Sequence, residues 1–395
     1  MLRTYRYLVR PNIEQEKQLD ILLWQSRLVY NAALEQRIET YQETGKGIGY
    51  AKQWAHFREL RHEHPDTFGQ LNASSLQHLL RRLDKAFAAF FCRIKAQDKP
   101  GFPRFKNRNR FKSIEYTYGD GCKLRQNEHG RMSFYVQNVG EMRLCYHRSI
   151  PAEAKIKHAV IKQTNSRWYV CLMLELPDPV TKCIRTGKQV GMDVGLKSLA
   201  ALSTGELIEN PRWLREKLTE LRRLQRHASR QAKGSHRQQK TYLQIARLHE
   251  HISNQRLDYL HQVSRRLVAE HDRIAIEDLS LGFMNRNRHL SLSSHDAGFG
   301  LLRQMLEYKA EEAGIQVIAV NPANSSQACS GCGNMVPKSL SVRVHSCPNC
   351  GLVLNRDVNA ARNILTLALA SLELAQNPLG RSGQALTYPV GESVA

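Results

Sequence analysis

Apolar residues recur along this chain in two rhythms, and the changes between them outline its organisation. Tyr5 to Val9 reads as a short strand, and residues 14–43 as one helix that stops near Gly45 and Gly47. A stronger helical stripe follows from Ser75. Leu76, Leu79, Leu80, Leu83, Phe87, Phe90, Phe91 and Ile94 recur at three- and four-residue steps, until Pro100, Gly101 and Pro103 close the pattern. The rhythm then turns short and extended over Arg131–Val136, Glu141–Tyr146, Ile156–Gln163 and Trp168–Leu176, with turns at Gly119–Gly121 and Asn138–Gly140. That succession predicts a small antiparallel β-barrel, followed by a linker from Pro177 to Gly187.

Beyond Gln189 the order is different. Gln189–Val194, Leu199–Ser203 and Glu206–Ile208 read as three strands, and residues 212–232 and 239–269 as two long helices. A strand at Arg273–Glu277, a polar loop containing residues 285–288, a helix over 297–313 and a strand at Ile315–Val320 come next. A cysteine cluster and a last helix starting near Asp357 complete the series. Three antiparallel strands, helices, then strand, helix, strand and helix form the order of an RNase H-like α/β domain. Residues 377–395 are rich in Gly, Pro and Ser and read as a disordered tail; no internal repeat is present.

Composition narrows the class of partner. The 395 residues hold 58 Lys+Arg against 36 Asp+Glu, a net charge of +22, with 42% hydrophobic residues. That is too apolar for a disordered polycation and too basic for a typical enzyme of small neutral substrates, so a polyanionic partner is favoured. The excess is concentrated. Residues 101–112, GFPRFKNRNRFK, carry five cations, including Arg104 and Lys106, interleaved with three Phe, Phe105 among them. Rings among cations suit base stacking beside phosphate contacts. Residues 212–240 hold ten Lys/Arg against two Glu, with Arg222, Arg223 and Arg226 among them, and Arg286 and Arg288 mark a further basic loop. The most apolar run, Ile364 to Leu372, is nine residues long, which argues against a membrane span, and the N-terminus has no signal-peptide core.

Two sets of side chains point to chemistry. Cys329 and Cys332 form one CxxC knuckle, Cys347 and Cys350 another, with 14 residues between them. Four thiolates so arranged suit one tetrahedral, structural Zn²⁺ with no position left for water. The odd total of nine cysteines, without a signal peptide, fits a reducing compartment. The second set is acidic. Asp193 shares its strand with Val190, Met192 and Val194 but faces the other way; Glu277 ends a strand opposite Ile274 and Ile276; Asp357 heads the last helix. In an RNase H-like order these three acids converge and would hold Mg²⁺, with two ions suited to in-line phosphodiester hydrolysis. Asp278 is a rival ligand on the wrong face, and His295 and Asp296 read as exposed loop residues.

The motifs GMDVG, AIEDL, CSGC/CPNC and NRDVNAARNI resemble, in order, the RuvC-I, RuvC-II, zinc-finger and RuvC-III motifs of the TnpB nucleases, relatives of type V CRISPR effectors. LVYNAALEQRIETYQETGKG and GFPRFK extend the resemblance over most of residues 1–365. It implies a multidomain α+β fold. Residues 11–100 would form a helical recognition domain, and 1–10 with 101–180 a wedge-like barrel. Residues 187–320 with 357–376 would form the RuvC-like nuclease, carrying a zinc ribbon inserted at 321–356. It further implies a guide RNA from the transposon end, one protein per RNA, and cleavage of double-stranded DNA beside a short motif, in a prokaryotic cytoplasm near the nucleoid. Asp193, Glu277 and Asp357 carry over as the Mg²⁺ triad, and Tyr50, Gln77 and Arg81 as motif-reading side chains. Ala73 stands where some relatives have Lys. Direct strand transfer by a transposase and guided binding without cleavage are the alternatives; no helix-turn-helix module stands out to support the first.

Overall fold

The computed structural model describes residues 2–126, 128, 130–177, 186–279, 281–288, 290–321, 323–339 and 341–376. The expected disordered tail and most of the expected linker lie outside the described residues. The chain divides into two compact units, 1–178 and 179–395.

In the first unit β1 (Leu2–Arg10) leads into α1 (Ile13–Thr44). A reciprocal capping box between Asn12 and Gln15 starts this helix, and Gly45 at φ +66° ends it. α2 (Tyr50–Glu63) escaped the sequence reading, because only Gln53 and Phe57 of its side chains are buried and no apolar stripe marks it. α3 (Ala73–Lys95) is capped by Asn72, whose side chain accepts from the Ser74 amide.

The strands that follow are β2 (Ser113–Thr117), β3 (Cys122–Gln126), β4 (Met132–Val136), β5 (Gly140–Cys145), β6 (Lys155–Thr164) and β7 (Arg167–Glu175). With β1 they form a seven-stranded sheet in the order β2-β6-β7-β1-β5-β4-β3, antiparallel throughout.

This corrects the expected barrel. Closure requires β2 to pair with β3, and no such ladder exists among the described residues. The edges meet only at one end. Tyr118 still donates to Lys157 on the β6 side, while Gln137 on the β4 side donates to Gly121, so two residues bridge the gap. The first turn of α3 occupies that junction. Asn72 Nδ2 donates to Asp120 Oδ1 at 3.0 Å and to Gln137 Oε1 at 2.9 Å. Gly121, at φ +79°, leaves room for it, since a Cβ there would lie 2.6 Å from that same nitrogen. One apolar core joins the helices to the sheet, from Leu19, Leu34, Leu76 and Leu83 to Tyr7, Ile114, Phe134 and Leu172.

The second unit is built on a five-stranded sheet. β8 (Gln189–Val194), β9 (Ser198–Leu202) and β10 (Leu207–Glu209) form an antiparallel meander. The helices α4 (Trp213–Ser229) and α5 (His236–Glu270) precede β11 (Arg273–Glu277). The short helices α6 (Leu281–Arg286) and α7 (Ser291–Ala297) then lead into α8 (Phe299–Ala313) and β12 (Gln316–Val320). α6 lies partly where the sequence reads as a loop, the helix expected over 297–313 is α8, and α7, set off from it by Gly298 at φ +71°, was not expected.

The order is β10-β9-β8-β11-β12, with β11 parallel to both β8 and β12. A two-stranded ribbon, β13 (Val344–Ser346) and β14 (Val353–Asn355), precedes α9 (Arg356–Gln376). The sheet is covered on both faces. Val190, Met192, Ile274 and Ile276 pack with Leu260 and Leu267 of α5 and Leu302 and Leu306 of α8. On the other face Ala275 and Val320 pack with Ile364 and Ala368 of α9. No helix among the described residues is long and apolar enough to cross a membrane.

Candidate functional site

The pleat decides which way the acids point. Gly191 and Asp193 alternate with Val190 and Met192, so they face α9, as do Ala275 and Glu277 on β11. The parallel register runs from Arg273 beside Gln189 to Ile276 beside Met192, so Glu277 and Asp193 emerge as neighbours one step further on. α9 lies on this face, and its first turn presents Asp357. Asn355 Oδ1 accepts from the Asp357 amide at 2.8 Å, holding that turn. Arg356 Nε lies 3.3 Å from Asp357 Oδ1 and Arg343 3.8 Å from Oδ2.

The close passage of α9 depends on a residue the motif reading left without a role. A Cβ on Gly191 would lie 2.0 Å from the Ala361 carbonyl oxygen and 2.9 Å from Leu365 Cβ. Only glycine fits between strand and helix here. Two further residues of the NAARNI segment tie α9 to the cysteine module. Asn359 Nδ2 donates to Ala328 O at 2.7 Å while its Oδ1 accepts from Ser330 N at 2.9 Å, and Asn363 Nδ2 donates to the carbonyls of Ser325 and Ala328. Asparagines inside a helix are a signal that could have marked them, because a mid-helix amide usually has a partner elsewhere.

Asp193 senses both of the other acids. Burial, then the charges of Glu277 and Asp357, hold the Asp193 carboxyl well above its ordinary value, against a smaller opposing pull from Arg356. Burial also pushes Glu277 up to about 7, partly offset by a hydrogen bond from the Val194 backbone. Glu277 is 9% exposed, and its Oε1 is enclosed with no hydrogen-bond partner. Two carboxyls biased toward the neutral form, a third beside them and an orphaned buried oxygen fit a divalent cation. The three sets of ligand atoms do not all close within 4.8 Å of one another, unlike those of the cysteines.

An expected result follows from the sign of these shifts. Between the ordinary glutamate value of 4.5 and about 7, the folded chain keeps a proton on Glu277 that the unfolded chain releases. Without divalent cation, stability is therefore present at pH 4.5 and lost as pH rises through 7, by on the order of 3 kcal/mol from this group. Melting curves at pH 5 and pH 8 check it. Glu277→Gln should flatten the difference and raise the melting temperature at pH 8; a decline as steep as that of the parent would contradict the assignment.

The neighbouring candidates sort differently. Asp278 turns outward, 64% exposed, and pairs with Arg303 at 2.7 Å. Asp296 is not the exposed loop residue expected from sequence. It is 4% exposed, pairs with Arg256 at 3.1 Å, and accepts from the Leu214 and Arg215 amides at the start of α4. A carboxylate at a helix N-terminus is stabilised there, so Asp296 ties α4 to α7 and α5. His295 is exposed as expected, but on α7 rather than in a loop.

The four cysteines come together. Cys329 and Cys350 Sγ atoms are 3.5 Å apart, Cys332 and Cys347 3.6 Å, and all four lie within 4.8 Å. Hydrogen bonds from the Asn349 side chain and from the backbone at Asn334 pull the Cys332 thiol down to about 6, toward the ligating thiolate.

In the first unit, Arg81 on α3 lies over the Tyr50 ring at 5.5 Å, so two of the expected motif readers meet; Gln77 is half-buried on the same helix. Phe105 is 54% exposed beside exposed Arg104, and Asn31 clamps the backbone of Lys106. Arg222, Arg223 and Arg226 are exposed on α4. Arg286 ends α6, and Arg288 lies in the turn beyond it; both are exposed.

Solved structures place this architecture. The chain superposes on the Cas12f1–sgRNA–target DNA complex with a TM-score of 0.57 at 18% identity, covering 89% of this chain and 82% of that one. It superposes on the mini-RNA-guided endonuclease CRISPR-Cas_phi3 with a TM-score of 0.55 at 9% identity, covering 93% and 92%. The fold is thus a mixed α+β multidomain fold of the compact type V effector kind.

Sequence carries the placement further. Residues 171–288 match the family described as "Probable transposase", residues 299–364 the "Cas12f1-like, TNB domain", and residues 1–46 a "Helix-turn-helix domain", a stretch that folds here as one strand and one uninterrupted helix. A Streptomyces pristinaespiralis protein named "Putative RNA-guided DNA endonuclease" is 34% identical over 93% of this chain and 90% of its own length. The Escherichia coli protein "Putative RNA-guided DNA endonuclease InsQ" is 32% identical over 100% and 98%. The Sulfoacidibacillus thermotolerans "CRISPR-associated endodeoxyribonuclease Cas12f1" is 24% identical over 75% and 77%. The chain belongs to the TnpB family, related to the type V CRISPR effectors.

Proposed function

We infer that this protein is an RNA-guided DNA endonuclease whose hydrolytic centre is formed by Asp193, Glu277 and Asp357. The observation that carries the reading is the enclosed, unpartnered Oε1 of Glu277 beside an Asp193 carboxyl that burial, and then its two acidic neighbours, push well above its ordinary value. These residues would hold Mg²⁺, which supplies Lewis acidity and an activated water for phosphodiester hydrolysis. The chain's own contribution is placement. β8 and β11 set two carboxylates side by side, α9 delivers the third, and Arg356 and Arg343 orient it. At about 7, Glu277 also sits where a carboxyl can exchange a proton at neutral pH.

The thiolates of Cys329, Cys332, Cys347 and Cys350 would hold one structural Zn²⁺; bonds of ~2.3 Å separate tetrahedral sulfurs by roughly 3.8 Å, near the 3.5 and 3.6 Å spacings here. Residues 1–10 with 101–180 and residues 11–100 would grip RNA scaffold and target-adjacent duplex. Tyr50, Gln77 and Arg81 would read the motif, with Arg104, Phe105 and Lys106 on backbone and bases. Residues 187–320 with 357–376 would form the nuclease, the 321–356 insertion would contact nucleic acid, and Arg222, Arg223, Arg226, Arg286 and Arg288 would neutralise phosphate.

Sequencing the RNA that copurifies with the protein tests the reading. One discrete species ending in a variable segment is expected, and adding it should make DNA cleavage follow that segment. Cleavage or joining of transposon ends without RNA would favour direct strand transfer instead.

A further inference from the structure

A third cluster of metal-ligating side chains lies in the first unit. His78 on α3, Glu115 on β2 and His158 on β6 each offer one ligand atom, and these atoms all lie within 4.8 Å of one another. We propose that these residues form a binding site for a transition-metal dication of the zinc class, clamping α3 to strands β2 and β6.

The geometry is specific to this purpose. His78 Nδ1 is 3.5 Å from Glu115 Oε1. Ligands at ~2.1 Å from a tetrahedral ion are about 3.4 Å apart, so this pair already has the required spacing. The opposite ring nitrogen of His78, Nε2, is 3.1 Å from Thr117 Oγ1. A ligating imidazole characteristically donates its far N–H in this way, which selects the tautomer that leaves Nδ1 free to bind. The His158 ring stands at 90° to that of His78 with centroids 5.0 Å apart, and its Nδ1 is enclosed with no hydrogen-bond partner. An enclosed imidazole nitrogen lacking a partner is costly unless something fills it.

Sheet register explains how the set assembles. Thr117 of β2 pairs directly with His158 of β6, so the two share a face, and Glu115 lies two residues earlier on the same face. α3 packs against β2 and brings in His78, which is 8% exposed.

The two nearby arginines act on the cluster through their charge, while their side chains make other contacts. Arg81 lies over Tyr50, while Arg82 reaches the Ser113 carbonyl and the Phe111 ring. Two imidazoles and one carboxylate favour Zn²⁺, Co²⁺ or Ni²⁺ over Mg²⁺ or Ca²⁺, and three protein ligands leave a coordination position for water. The proposal does not depend on the nuclease reading.

Co²⁺ titration of the full-length protein, in excess Mg²⁺ to hold the carboxylate site, tests it. Two equivalents per chain are expected. One gives the intense thiolate charge-transfer absorption of the cysteine module, the other the weaker ligand-field bands of nitrogen and oxygen ligation. His158→Ala should lose the second equivalent and keep the first. Glu115→Gln, close in shape, should do the same where the histidine variant fails to fold. Thr117→Val should weaken the second equivalent by roughly 10- to 100-fold through loss of imidazole orientation. A single, thiolate-type equivalent in the parent protein overturns the proposal, as does a second equivalent that survives both His158→Ala and Glu115→Gln.

Discussion

Replacing Asp193 by Ala should reduce RNA-directed DNA cleavage by at least ~10³-fold while leaving RNA and target binding within about twofold of the parent. Asp193 is the carboxyl whose proton affinity both Glu277 and Asp357 raise, so it is the member through which the three are coupled. Groups acting as a unit lose most of their effect when any one is removed. Binding, on the proposed reading, would rest on the exposed arginines and lysines, which the substitution does not touch.

The variant also carries its own control for folding. Removing a buried acid that repels its neighbours relieves strain, so the melting temperature without divalent cation should hold or rise. Asp193→Asn, which keeps the shape, should be as inactive as Asp193→Ala. Gel assays of cleavage alongside filter binding separate the two effects. Cutting at parental rate by either variant would remove Asp193 from the reaction.

Gly191→Ala should be the most damaging single-methyl change in the second unit. A Cβ there would sit 2.0 Å from a backbone carbonyl of α9 and 2.9 Å from Leu365 Cβ, contacts that no rotamer change can relieve. β8 cannot yield, because it is hydrogen-bonded between β9 and β11, and Gly191 itself exchanges bonds with Ser203 on both its N–H and its C=O. Helix α9 must therefore shift outward.

Overpacking of this kind costs about 3 kcal/mol or more. Because α9 carries Asp357, a displacement of about 1 Å would lower cleavage by a further factor of about 10² among molecules that remain folded. Gly195→Ala is the matched comparison. Its nearest neighbour would be the Ser198 carbonyl oxygen at 3.2 Å, so its cost should stay near 1 kcal/mol. Denaturant unfolding of both variants measures the difference; equal stabilities would show that α9 does not lean on this position.

The sequence made these acids visible because period-2 alternation assigns a face to each strand residue. Val190 and Met192 pointing one way forced Asp193 the other, and the core packs as that alternation requires. The CxxC spacing was equally local. What stayed hidden was produced by partners far along the chain. Gly191 must be glycine because of Ala361 and Leu365. Asp296 is buried because Arg256 and the α4 amides surround it. The cluster of His78, Glu115 and His158 exists only once β2 pairs with β6.

β2 and β3 were missed because each carries only two apolar residues among its five, Ile114 and Tyr116 or Cys122 and Leu124, whereas β4 at the same length carries four. The barrel was over-read for a related reason: strand patterns specify faces, whereas closure depends on whether the two edge strands pair.

The hydrogen bonds of Asn359 and Asn363 carry a consequence for how the second unit comes apart. Both amides are almost wholly enclosed and span from α9 to the segment just before the first cysteine knuckle. Loosening that segment strands their polar groups, so the cysteine module and the head of α9 open as one cooperative block. Amide exchange in residues 325–330 and 357–363 should then share a single protection free energy, and a chelator drawing metal from the thiolates would release Asp357 from its place without ever meeting a carboxylate.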